Sequence, residues 1–143
     1  MWTARQFHDI YMINLETGER RQIKEKSPSY MRFSPKGKYT YWYQDQDSSW
    51  YTRSMADGKE YRLTTPQTFA AWDEDNDVPD YPSPYGIAGW TDDDQSILIK
   101  DRYDIWKFDP IAASSPVNLT VNGRKEQITY SLIQLDREKR AYN

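Results

Sequence analysis

The chain has no cysteine, so neither a disulfide nor a thiolate takes part in its chemistry, and the redox compartment stays open. Histidine occurs once, as His8, which leaves it no like partner for acid–base or metal chemistry; it reads as a partly exposed strand-end residue. No apolar run approaches the roughly 18 residues of a membrane span, and the opening MWTARQFHDI lacks the apolar core of a signal peptide. Serine hydrolases of the α/β type carry G-x-S-x-G on a strand-to-helix turn, and no such run is present. Positive charge is missing from Leu63 to Ile99, where eight acids stand: Asp73, Glu74, Asp75, Asp77, Asp80, Asp92, Asp93 and Asp94. That stretch carries −8 within a chain of net −3, so the rest is +5, and nothing in this balance points to nucleic acid or an anionic membrane.

Aromatic residues are plentiful. Twelve Tyr and six Trp in 143 residues favour strands over helices, and the length suffices for one domain with a real core. Short runs alternate with turn signals. YMRF (30–33), YTYWYQ (39–44), WYTRSM (50–55) and EYRLTT (60–65) are separated by SPKGK, DQDSS and ADGK. Pro35 with Gly37, and Asp57 with Gly58, mark hairpin turns. In the second run Tyr39, Tyr41 and Tyr43 share a face opposite Thr40 and Trp42. The pattern returns in GIAGW (86–90), SILIK (96–100), RYDIWKFD (102–109) and VNLTV (117–121).

Internal repeats link these runs. DIYMINLETG from Asp9 aligns with SWYTRSMADG from Ser49, an offset of 40 that sets Gly18 on Gly58 and Ile23 on Leu63. DIYMIN (9–14) aligns with DIWKFD (104–109), and RFSPKGK (32–38) with GWTDDDQ (89–95) and QLDREKR (134–140). A repeat of about 40 residues holding four short antiparallel strands is the signature of a β-propeller blade. Stacked blades bury both faces, which accounts for bulky groups on both sides of YTYWY and DIWKF. The expectation is an all-β propeller segment: 1–25 the end of a blade, 29–65 a full blade, 66–85 an acidic inter-blade insertion, 86–121 a full blade and 128–143 the start of another. About three blades fall short of the four that closed propellers need, so a segment of a longer protein is expected. Its outermost faces would leave Phe7, Tyr11, Leu132 and Tyr142 uncovered, which favours self-association of the isolated segment.

The run YGIAGWTDDDQSILIKDRYDIWKFDP, with NLT and GRK following, resembles the N-terminal β-propeller of peptidases of the prolyl oligopeptidase family. FSPKGKY is similar to an inner-strand hairpin shared with TolB-like and dipeptidyl-peptidase propellers. The resemblance implies a propeller that caps an α/β-hydrolase domain of the same parent chain, gates and orients peptide substrates, and uses no cofactor; the Ser-Asp-His triad belongs to that other domain. It also favours a periplasmic or secreted location. The rival expectation is a TolB-like protein-binding propeller without peptidase activity.

The loop WDEDNDVPDYPSPY (72–85) is the most distinctive stretch. Asp73, Asp75 and Asp77 have the spacing that opens a calcium loop, but Val78 and Pro84 stand where its glycine and glutamate belong. The loop reads first as a solvated acidic insertion stiffened by Pro79, Pro82 and Pro84. Its functional reading is contact of Asp73, Glu74, Asp75, Asp77 and Asp80 with basic groups of the hydrolase domain or a peptide N-terminus. Asp92, Asp93 and Asp94 read as a solvated turn. Asn118-Leu119-Thr120 fits a glycosylation sequon, against which stands a strand where Leu119 packs and Thr120 pairs across the sheet. No pair of carboxylates is positioned by sequence for acid–base catalysis.

Overall fold

The computed structural model describes residues 6–27, 30–133, 135, 141 and 142. It is all-β, with strands in antiparallel sheets and little helix. Strands β1 (His8–Ile13) and β2 (Arg20–Ser27) form a hairpin. Strands β3 (Arg32–Phe33), β4 (Tyr39–Gln44), β5 (Ser49–Ser54) and β6 (Glu60–Arg62) form a meander in which each strand pairs with the next. Strands β7 (Ile87–Trp90), β8 (Ile97–Lys100), β9 (Ile105–Phe108) and β10 (Val117–Asn118) form a second. A single helical turn, α1 (Gly123–Glu126), follows.

The repeat seen in the sequence recurs bond for bond in the turns. Asn14 N–H donates to Glu19 O and Gly18 N–H to Asn14 O; forty residues on, Ser54 N–H donates to Lys59 O and Gly58 N–H to Ser54 O. Gly18 and Gly58 have φ of 72° and 73°, a left-handed conformation that explains glycine at both. The turns at 34–39 and 91–96 match likewise. Ser34 N–H donates to Tyr39 O and Thr91 N–H to Ser96 O, while each hydroxyl receives the partner's N–H, Tyr39 onto Ser34 and Ser96 onto Thr91. Asn14 and Asp109, aligned at an offset of 95, both accept the N–H two residues on, from Glu16 and Ile111.

Period-two alternation then decides the packing. The Tyr39, Tyr41 and Tyr43 face of β4 meets the Ile97, Ile99, Trp106 and Phe108 face of the second meander. Trp90, 2% exposed, is the hinge of this contact: its ring lies 5.8 Å from Tyr39 and 5.5 Å from Tyr41. The opposite face of the first meander carries Trp42 and Tyr51, stacked at 5.5 Å. The β1–β2 hairpin covers it: Lys24 Nζ sits 4.0 Å over the Trp42 ring and Arg53 donates to Ile23 O. Strand β4 is therefore buried on both faces.

Several expectations need correction or relocation. The insertion at 66–85 is not wholly solvated: Phe69 and Ala71 belong to the core between the sheets, Phe69 edge-on to Trp106 and Phe108 at 5.6 and 5.2 Å. Its apolar residues reach the core because the connection from β6 to β7 crosses the seam between the meanders. Of the strands expected over 128–143, residues 134, 136–140 and 143 lie outside the described residues; 128–133 carry no strand. Tyr142 makes one parallel bridge with Thr91 and its ring lies on Gly89, so it is half-buried rather than uncovered. Phe7, Tyr11 and Leu132 are exposed as expected.

Candidate functional site

The two meanders part at one end. There the β4–β5 turn, the start of β3 and the start of β7 enclose an open cleft of about 480 Å³. Its walls are Tyr41, Trp42 and Tyr43 from β4 and Trp50 from β5, with Tyr30 and Arg32 on one side and Pro84, Gly86 and Ile87 on the other. Trp50 is tilted against Tyr43 at 5.3 Å and Tyr41 at 6.5 Å, so the rings present both faces and edges to the cleft. Burial pushes the Tyr43 phenol above its ordinary pKa. The indole N–H of Trp50 has no hydrogen-bond partner among the described residues.

Charge in the cleft comes from two groups. Asp45, in the β4–β5 turn, already has a partner. Arg32 is exposed, and none of the ion pairs or hydrogen bonds among the described residues uses it. Four other guanidinium groups are paired: Arg53 with Glu60, Arg62 with Asp47, Arg102 with Asp75 and Arg124 with Glu74.

The acidic loop stands beside the cleft. Its neck is closed by Asp73 N–H donating to Ser83 O and Tyr85 N–H to Ala71 O, around a bridge between Trp72 and Pro84. Glu74 and Asp75 are tied to the second meander, at 3.2 Å from Arg124 and 2.7 Å from Arg102. Both guanidiniums lie over the Tyr103 ring, at 5.3 Å for Arg102 and 5.4 Å for Arg124. Asp73 accepts from Asp75 N–H and Asp80 from Tyr81 N–H, which fixes the loop's own backbone. Asp77 is exposed. Among the described residues no three His, Asp or Glu side chains converge as metal ligands, so Asp73, Asp75 and Asp77 are not brought together.

The remaining sequence candidates have structural partners. His8 stacks on Tyr30 at 4.6 Å. Asp92 and Asp93 are exposed, but Asp94 is 2% exposed and contradicts the reading of a solvated turn. It accepts hydrogen bonds from Ser34 Oγ and from the N–H groups of Lys36 and Lys38, which clamps the β7–β8 turn onto the β3–β4 turn. Thr120 bonds Asp104 across the sheet as expected, whereas Leu119 is exposed rather than packed. Burial pushes the Asp104 carboxyl up, but donors from Thr120, Arg124 N–H and Gly123 N–H outweigh it and hold the group below its ordinary pKa. These are structural roles. Sequence reading missed the cleft because its residues come from four separated segments.

Comparison with models of known protein families, with curated proteins and with solved structures finds no match to this chain. No helix among the described residues is long and apolar enough to cross a membrane.

Proposed function

We propose that this chain is part of a β-propeller that binds and orients peptides without catalysing their cleavage, beside an α/β-hydrolase domain of the prolyl oligopeptidase type. The observation that carries the reading is the recurrence of two turn geometries with the same hydrogen bonds, the 14–19 turn again at 54–59 and the 34–39 turn again at 91–96, across three successive antiparallel sheets. A repeat stacked in this way buries each sheet between its neighbours, as strand β4 is buried here. The aromatic cleft, at the end of the sheets beside the acidic loop, is where a peptide would be held. Asp77 and Asp80, both exposed on that loop, are the carboxylates this reading offers to basic groups of the hydrolase domain.

The test has two parts. Short peptides titrated into the chain in a calorimeter are expected to bind, while chromogenic aminoacyl and prolyl substrates remain uncleaved. Turnover that survives repurification and is blocked by a serine-directed phosphonate would overturn the non-catalytic reading. Binding to folded protein partners with none to short peptides would favour the protein-binding propeller instead.

A further inference from the structure

We propose that the aromatic cleft recognises the C-terminal residue of a short peptide, with Arg32 receiving its free carboxylate and the cleft rings packing against a cyclic side chain, proline, phenylalanine or tryptophan. This rests on the peptide-binding reading and specifies its ligand.

Three features lead to this class. The first is charge. Arg32 brings a planar guanidinium to an aromatic surround, and no carboxylate among the described residues is paired with it. Asp45, across the cleft, is held by a partner of its own. A guanidinium matches a carboxylate through two parallel hydrogen bonds. One such group among rings suits one carboxylate; phosphates are met by clusters of cations or by backbone nests.

The second feature is shape. A cleft of about 480 Å³ falls within the usual range of roughly 300–1,000 Å³ for small-ligand sites. Tyr41, Tyr43 and Trp50 meet at tilted angles, so a flat ring entering between them finds edge-to-face contacts.

The third is backbone access. Among the described residues β3 pairs with β4 on one side alone, so none of them covers its other edge beside Arg32. Gly86 lines the opposite wall at φ of 94°, and a side chain there would meet nothing within 4 Å. An extended peptide can therefore approach backbone to backbone, as in strand addition to a sheet edge.

The experiment compares acetyl-Ala-Ala-Phe as the free acid with its C-terminal amide, by calorimetry on the whole chain. The acid is expected to bind at least about tenfold more tightly, since the amide removes the charge that a guanidinium recognises. Arg32→Gln, an exposed change checked for folding by its melt, should abolish that preference while leaving the weaker amide binding in place. Trp50→Phe should weaken acid and amide together. Equal binding of acid and amide, a preference that survives in Arg32→Gln, or no binding of either peptide would overturn the inference. A longer peptide that binds irrespective of its C-terminus would then uphold peptide capture while this carboxylate site fails.

Discussion

Replacing Asp94 removes the acceptor that ties the two meanders together at the end opposite the cleft. Its carboxylate, 2% exposed, accepts from Ser34 Oγ at 2.5 Å, Lys36 N–H at 3.0 Å and Lys38 N–H at 3.2 Å. Hydrogen bonds to a charged group contribute about 1.5–3 kcal/mol each, so three imply about 4–9 kcal/mol if nothing replaces them. The donors sit in a part-buried turn where water enters after the change, which lowers the expected loss for Asp94→Ala to about 3–5 kcal/mol. The backbone contributes separately. Asp94 has φ of 56°, where alanine is strained by about 1–2 kcal/mol. Asp94→Gly removes that strain but still lacks the carboxylate, and Asp94→Asn keeps the shape but turns one acceptor into a donor facing donors. The Asn variant is expected to lose about 1–3 kcal/mol. Urea denaturation should rank stability as wild type, then Asn, then Gly, then Ala. Against a total of about 5–15 kcal/mol for ordinary domains these losses are easily read. Ser34→Ala combined with Asp94→Ala should cost less than the sum of the two single changes, because they share a bond. An Asp94→Asn variant within about 0.5 kcal/mol of wild type, the scatter of neutral surface changes, would refute the clamp.

Three further outcomes are expected. Gly89→Ala drives a carbon into Cε2 of the Tyr142 ring, so the ring must move and the Asp92 and Tyr142 amides, bonded across that bridge, should exchange faster by hydrogen-exchange mass spectrometry; unchanged exchange would count against the contact. Burial, then the hydrogen bond to Asp47, raises the Tyr51 phenol to about 12; the neutral form is favoured by folding, so its contribution is whole below pH 10 and disappears as pH rises through 12, and Tyr51→Phe should remove that late step from the tyrosinate absorbance titration. Phe7, Tyr11 and Ile13, which are 56%, 40% and 55% exposed, invite self-association, so light scattering should show oligomers that Tyr11→Lys with Ile13→Lys disperses; a monodisperse wild-type monomer would show that this face needs no cover.

The strands were legible because alternation and turn chemistry are local. Tyr39, Tyr41 and Tyr43 share the buried face, and Asp57-Gly58 makes the turn its sequence predicts. Strand lengths were less so: β3 holds two residues where four read as extended. Phe69 and Ala71 were hidden in a Thr/Pro-rich connection with no period to betray them. Asp94 was misread because DDD looks like any solvated turn, although its alignment with Gly37 carried the clue. Gly37 has φ of 73° and Asp94 56°, so the repeat demanded a left-handed residue there, which Asp tolerates. Its three donors lie 56 to 60 residues away in sequence, beyond the reach of any local pattern. The cleft was illegible for the same reason, since its chemistry arises where separate segments meet.

The two ends of the sheet pair differ in a way that bears on binding. At the Asp94 end, a buried carboxylate stitches the meanders together through charge-assisted bonds from the Ser34 hydroxyl and the Lys36 and Lys38 amides. At the other end they separate around aromatic walls, and the acidic loop is moored beside them by Arg102 and Arg124. Those ion pairs are exposed and contribute about 0–1 kcal/mol each, so the loop is located without being locked. The rings of the cleft, by contrast, stand on β4 and β5, whose six paired positions fix them from both sides. Rigid walls lower the ordering cost of binding, while a weakly moored loop lets a ligand enter. The clamp at one end therefore supports the cleft at the other: by holding the meanders in register it sets the spacing between Trp50 on one sheet and Ile87 on the next, and with it the width of the space a ring can occupy.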